Sequence, residues 1–174
     1  LIASTGYDDV SLSSLSTGDY SEIETLIKNL VCDAEAGKVS ISLPSLRIDS
    51  LSIEMLEEIQ KVRKAGLTLA PEAGTQRMRD VINKGVTEEN LMDTVKTAFE
   101  KGWGHVKLYF MIGLPGETLA DIEGIADLGQ KVVDEYYKID RESRNKSLKV
   151  VLSTSSFVPK PFTPFQWMGQ NTPE

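Results

Sequence analysis

The sequence predicts an α/β fold: a partial, TIM-like (β/α) barrel of parallel strands. Three observations carry this. Strand-like and helix-like runs alternate from one end of the 174 residues to the other, with no Ser- or Pro-rich linker between them. Strand, helix and strand recur at a spacing of roughly 30 to 40 residues, about one βα unit, which implies parallel pairing and right-handed crossovers. The strand-like runs are apolar, as they are when helices cover both faces of a sheet. Five such strands are too few to close an eight-stranded barrel, so an open or partial one is expected.

The elements follow in order. Leu1 to Thr5 reads as the last turn of a helix and Gly6 as its stop. Asp9 to Ser16 is the first strand. Ser21-Glu-Ile-Glu24 has the capping-box pattern and opens a helix with the stripe Ile23, Leu26, Ile27, Leu30, Val31 and Ala34, stopping at Gly37. Lys38 to Leu46 is a second strand, alternating Val39, Ile41 and Leu43, and Ile53 to Ala65 a helix with Leu56, Ile59 and Val62 at helical spacing. Leu67 to Pro71 is a short third strand. Thr75 starts a short helix (Met78, Val81, Ile82) that ends at Gly85. Thr87, followed by Glu88 and Glu89, caps the next helix, because acidic residues suit the positive end of the helix dipole. That helix runs through Leu91, Val95, Ala98 and Phe99 to Gly102. His105 to Ile112 is the fourth strand, and Thr118 caps a long helix through Ile122, Ile125, Val132, Val133 and Tyr136. After the charged stretch Asp140 to Lys146, Leu148 to Leu152 begins a fifth strand, which leads into the proline-rich tail Val158 to Trp167.

Composition bounds the function. A hydrophobic fraction of 40% and a charged fraction of 26% are those of an ordinary soluble domain. A net charge of −7 argues against a broad nucleic-acid-binding surface, which needs clustered Lys and Arg. No apolar run is long enough to span a bilayer and no leader is recognisable, so the expected setting is the cytoplasm, with no membrane partner. The one cysteine, Cys32, cannot build a disulfide framework or a multi-cysteine metal site, and helical stepping places it opposite the apolar stripe. The one histidine, His105, starts a strand, away from the end where ligands sit. The chain begins Leu-Ile-Ala without a methionine and reads as a piece of a larger protein.

The strand ends carry the chemistry. The fourth strand runs into Gly113-Leu-Pro-Gly-Glu-Thr118, a turn and a helix N-terminus, which is expected to offer open backbone N–H groups at the ligand-binding end of such a barrel. Glu117 is expected to hold that turn. The first strand ends in the hydroxyl cluster Ser13, Ser14, Ser16 and Thr17, an ordinary turn or a surface that can bond an amine, carboxylate or ribose. The second ends near Ser42 and Arg47, the latter a surface arginine or a fork for an anion. The third ends in Glu72, a ribose-hydroxyl acceptor or a helix-capping carboxylate, with Lys84 beyond it as a carboxylate partner or a dipole-satisfying lysine. Lys107, Tyr109 and Met111 share one face of the fourth strand, and an aldolase-like Schiff-base lysine at Lys107 is an alternative reading.

The runs Gly74 to Gly85, Lys107 to Thr118 and Phe157-Val-Pro-Lys-Pro-Phe-Thr-Pro-Phe-Gln166, in this order, resemble the radical S-adenosylmethionine (SAM) superfamily. The similarity is greatest to its iron–sulfur oxidoreductases of unknown substrate, which often carry a cobalamin-type domain upstream. The resemblance implies a six-stranded partial barrel that binds SAM and a [4Fe-4S] cluster, with reductive cleavage of SAM to a 5′-deoxyadenosyl radical. It implies SAM contacts at Ser14 and Ser16 (methionine amine), Ser42 and Glu72 (methionine and ribose) and Lys84 (carboxylate). It also implies contacts at Tyr109 and, on the adenine side, at Ile112, Gly113 and Val158. Serines stand where the family usually has Gly-Gly-Glu, and Tyr109 stands where relatives often have an acid. The cluster motif Cys-x-x-x-Cys-x-x-Cys is absent from this sequence. Residues 1–174 are therefore expected to be the second to sixth βα units of the core plus the proline-rich tail, lacking the first strand. The cluster, and cobalamin if used, would be held elsewhere in the full-length protein, and the segment alone would be inactive. An open sheet edge predicts self-association or marginal stability. The expected ligand is a small molecule; the acidic surface disfavours a nucleic-acid substrate on this segment, although an appended domain could bring one. The alternative reading is a non-catalytic adenosyl-ligand or scaffold module.

Overall fold

The computed structural model describes residues 2–7, 9–11, 20–37, 40–42 and 66–170. In chain order these form α1 (Ile2–Thr5), β1 (Asp9–Ser11), α2 (Ile23–Gly37), β2 (Ser40–Ser42), β3 (Leu67–Glu72), α3 (Gln76–Val81), α4 (Glu88–Glu100), β4 (His105–Ile112), α5 (Leu119–Lys138) and β5 (Lys149–Ser156). Gly6, just after α1, has φ +72°, as a helix stop requires.

Every described strand pair is parallel, as strand–helix alternation demands. The described strands form two sheets, β1–β2 and β3–β4–β5. The expected helix over 53–65 and the far ends of the first two predicted strands lie outside the described residues.

In the three-stranded sheet the register sets Leu67 beside Val106 and Leu69 beside Leu108. Those residues and Phe110 are buried against Leu91, Val95, Ala98 and Phe99 of α4 and Ile125, Leu128, Val132 and Tyr136 of α5. Each buried Val, Leu, Ile or Phe among them contributes about 1.5–3 kcal/mol relative to exposure. The four apolar residues named from sequence for α4 are all buried, and Thr87 caps it through a reciprocal box with Asn90: the Thr87 N–H donates to Asn90 Oδ1 at 3.2 Å and the Asn90 N–H to Thr87 Oγ1 at 3.1 Å.

Three stripe residues depart from the expected pattern. Leu26, Val81 and Ile122 are exposed. In α2 the buried line is Ile23, Ile27 and Val31, which is narrower than the predicted stripe, and Cys32 is exposed as expected. Val81 ends the short α3 with its side chain turned to solvent, and in α5 the buried line starts from Asp121 rather than Ile122. No described helix is long and apolar enough to cross a membrane.

Candidate functional site

Three loops leave the C-terminal edge of the β3–β4–β5 sheet, and a small apolar cluster joins them. Ala73 comes from the loop after β3, Leu114 from the loop after β4 and Phe157 from the segment after β5; Met78 of α3 completes the buried set, with Ile82, Met111 and Phe165 packed against it. The Phe157 and Phe165 rings meet edge to face at 6.1 Å, which fastens the start of the proline-rich tail to this cluster. The Phe157 N–H donates to the Ile112 carbonyl at 2.8 Å, extending the β4–β5 ladder to the loop.

Glu72 ends β3 in the left-handed region at φ +69°, beside an irregularity in the register with β4. A non-glycine residue held there costs of order 1–3 kcal/mol and persists only where its surroundings enforce it. Its carboxylate pairs with Lys84 Nζ at 3.4 Å, and both side chains are about one quarter exposed, at 28% each. The two polar residues expected at this strand end are thus brought together, facing partly to solvent.

Arg79 holds the loop from beneath. Its guanidinium is buried and donates to the carbonyls of Ala73 (2.9 Å) and Gly74 (3.3 Å) and to Gln76 Oε1 (3.2 Å). Burial pulls its pKa below the ordinary arginine value, with the Glu88 and Asp80 carboxylates opposing that shift.

After β4, the Gly113–Thr118 turn takes the predicted form, with Gly113 at φ +82° and Gly116 at φ +77°. The expectation of open backbone N–H groups is corrected at two positions. The Gly113 N–H donates to Glu117 Oε2 at 2.6 Å and the Glu117 N–H to the Leu114 carbonyl at 3.0 Å. Glu117 folds back over its own turn because Pro115 and Gly116 reverse the chain, so it has the structural role expected for it.

Asp121 was not anticipated from sequence. It is buried in the first turn of α5, where its carboxylate accepts from the Thr118 N–H (2.8 Å) and hydroxyl (2.6 Å), from the Thr75 hydroxyl (2.5 Å) and from the Arg77 guanidinium. The Thr118 and Thr75 hydroxyls, followed by Arg77 and the Thr118 N–H, hold its pKa well below the usual carboxylate range against the opposing effect of burial. The spacing Thr118-Leu-Ala-Asp121 is a capping-box signal; the partners 44 and 46 residues away have no signal in the sequence.

The remaining candidates are placed as follows. Tyr109 is exposed, on the strand face turned away from the helices, and Lys107 Nζ lies 4.5 Å from the centre of its ring. Ile112 and Gly113 stand at the end of β4, and Val158 is exposed just beyond Phe157. Ser42 is the last residue of β2, while Ser14, Ser16 and Arg47 lie outside the described residues. His105 is at the opposite, N-terminal end of β4.

The profile of the Radical SAM superfamily matches residues 1–129, well over half of the chain. The chain belongs to the radical SAM superfamily. An uncharacterized protein of Methanocaldococcus jannaschii is 36% identical over 157 residues, covering 90% of this chain and 31% of its own length. The chain thus spans about a third of the length of that curated relative. Among solved structures, coproporphyrinogen III oxidase (HemN) from Escherichia coli, a radical SAM enzyme, matches 71% of this chain and 33% of its own, at 14% identity and a TM-score of 0.49.

Proposed function

We propose that this chain supplies the SAM-binding strand ends of a radical SAM enzyme core. The observation that carries the reading is the Glu72–Lys84 pair at the end of β3, next to the parallel strand β4 that runs into the Gly113 turn, in a chain that belongs to this family.

The residues present fit SAM by their chemistry. The Glu72 carboxylate accepts from the ribose hydroxyls and Lys84 meets the methionine carboxylate, two charges that otherwise satisfy each other. Ile112, Gly113 and Val158 line the adenine side, where Gly113 lets the ring approach the backbone. Ser14, Ser16 and Ser42 take the amine and the remaining hydroxyls, and Tyr109 borders the substrate-facing side. In this family bound SAM is the source of a carbon radical that abstracts hydrogen from a substrate.

The [4Fe-4S] cluster is a different case. Such a cluster is held by several thiolates, and this sequence has only Cys32, exposed on α2. These 174 residues therefore do not hold it; their part is to bind and orient SAM, and the segment alone is inactive. An open sheet edge would let this segment self-associate, while cobalamin, a cytoplasmic setting and the substrate are matters for the full-length protein. The single cysteine also favours a second reading, a non-catalytic adenosyl-binding module.

The test is SAM binding by calorimetry to the full-length protein and to its Glu72→Gln variant, with reductive 5′-deoxyadenosine formation measured in parallel. Loss of a charge-assisted hydrogen bond predicts weaker binding on the order of tenfold or more. Binding with cleavage supports the enzyme, and binding without cleavage the module. SAM affinity unchanged in Glu72→Gln would overturn the site.

A further inference from the structure

The loops after β3 and β4 are separate in sequence, yet Arg77 joins them at two points. Its Nη2 donates to the Gly116 carbonyl at 3.1 Å, in the turn after β4, and pairs with the Asp121 carboxylate at the start of α5. The other oxygen of that carboxylate receives the Thr75 hydroxyl at 2.5 Å, from the loop after β3. The backbones also meet here. A Cβ on Gly74 would lie 2.4 Å from the Ile125 nitrogen and 2.6 Å from the Asp121 carbonyl oxygen, and one on Gly124 would lie 2.8 Å from Thr75 Cγ2. The loop after β3 is thus pressed against the first turns of α5, with no room for a Cβ at Gly74 or Gly124.

Each loop carries part of the candidate site at its other end. Glu72 lies three residues before Thr75, in a left-handed conformation that needs external support, and Gly113 lies three residues before Gly116. Arg77 is itself half-exposed, so its ion pair with Asp121 contributes little to stability in its own right. Its geometry does something else: one guanidinium fixes the spacing between two loops that grip different parts of one ligand. A planar fork with several donors is suited to bridging a carbonyl and a carboxylate at once.

We propose that Arg77 and Asp121 are positioning residues for SAM, a latch that holds the Glu72 loop and the Gly113 turn at the separation the ligand requires. The proposal rests on the SAM-binding reading above and deepens it. Neither residue touches the ligand; both act through Glu72 and Gly113. Breaking the latch lets the two halves of the site drift, so affinity falls by more than the loss of stability explains.

The experiment uses the full-length protein and three variants: Arg77→Met, Arg77→Lys and Val95→Ala. Val95 is on the buried face of α4, in the core cluster rather than the loops, so its variant reports destabilisation alone. SAM dissociation constants come from calorimetry, and amide exchange of residues 113–118 from hydrogen–deuterium exchange. Arg77→Met is expected to weaken SAM binding roughly tenfold, within what ångström-scale misplacement of binding groups costs, and to speed exchange in the turn. Arg77→Lys, which keeps a cation for Asp121 but loses the fork, falls between it and wild type. Val95→Ala lowers the melting temperature and leaves SAM affinity at the wild-type value. Wild-type affinity and unchanged exchange in Arg77→Met, with SAM still bound by wild type, would overturn the latch alone. Absence of SAM binding in wild type would overturn the functional reading, and the latch with it.

Discussion

The two ends of the β3–β4–β5 sheet are both tied down, by opposite means. At the N-terminal end the ties run largely to backbone carbonyls, with one cation stacked on aromatic rings and no buried carboxylate among them. Asn145 Nδ2 donates to the Gly102 carbonyl at 2.9 Å, the Ser147 N–H to Asn145 Oδ1 at 3.1 Å, and the Lys149 N–H to the Gly104 carbonyl at 2.7 Å. The Tyr136 hydroxyl donates to the Asn145 carbonyl, and Arg144 lies over the rings of Tyr136 and Tyr137, 4.9 Å from each. At the C-terminal end the ties are charged and include a left-handed glutamate, a buried aspartate and a buried arginine. Buried charges and strained backbone are costly for stability alone. Their concentration at one end is what the proposed SAM site accounts for, while the other end needs only to close the fold.

Substitutions sharpen this contrast, and the largest effect is expected at Gly74. Gly74→Ala drives a methyl into the α5 backbone, where no flexible side chain can yield, and is expected to cost about 3 kcal/mol or more in chemical denaturation. A stability near wild type would mean that the loop and α5 do not meet as closely as described.

Asp121→Asn comes next, at about 2 kcal/mol near neutral pH, because a buried acceptor of four donors loses its charge. Its pH dependence has a definite sign. The folded pKa is depressed, so the carboxylate's contribution is complete above the unfolded value of about 3.9 and disappears as pH falls through the lower folded value. The gap between wild type and Asp121→Asn in urea titrations therefore narrows below about pH 4. A gap that widens in acid contradicts the assignment.

The smallest effect is at the opposite end. Tyr136→Phe removes one hydrogen bond to a backbone carbonyl and keeps the ring against Phe99, so about 1 kcal/mol is expected, with SAM affinity unaltered. A loss of affinity there would erase the division between the two ends.

Much of the fold was legible because local signals agreed with the tertiary outcome. The run His105 to Ile112 is a strand, Thr87 and Thr118 stand at helix starts, and Gly113 and Gly116 take the positive φ of a tight turn. Burial was less legible at helix flanks: Leu26 and Ile122 have helical spacing, but the core takes only one narrow line from each helix. At the site, Glu72 and Lys84 could be named because they flank a strand end and a short helix. Asp121, Arg77 and Arg79 could not, since each works through partners contributed by another loop or by backbone carbonyls, and a charged residue in a helical first turn looks the same whether exposed or buried. The left-handed backbone of Glu72 left no trace in its residue type, for glutamate is not a residue that favours it.

The most direct test is hydrogen–deuterium exchange of the full-length protein with and without SAM. Binding at the charged end predicts slowed exchange in residues 72–86, 112–118 and 156–158, with residues 101–106 and 143–149 unchanged. Protection confined to the N-terminal end of the sheet, or no protection in these loops at saturating SAM, would contradict the account.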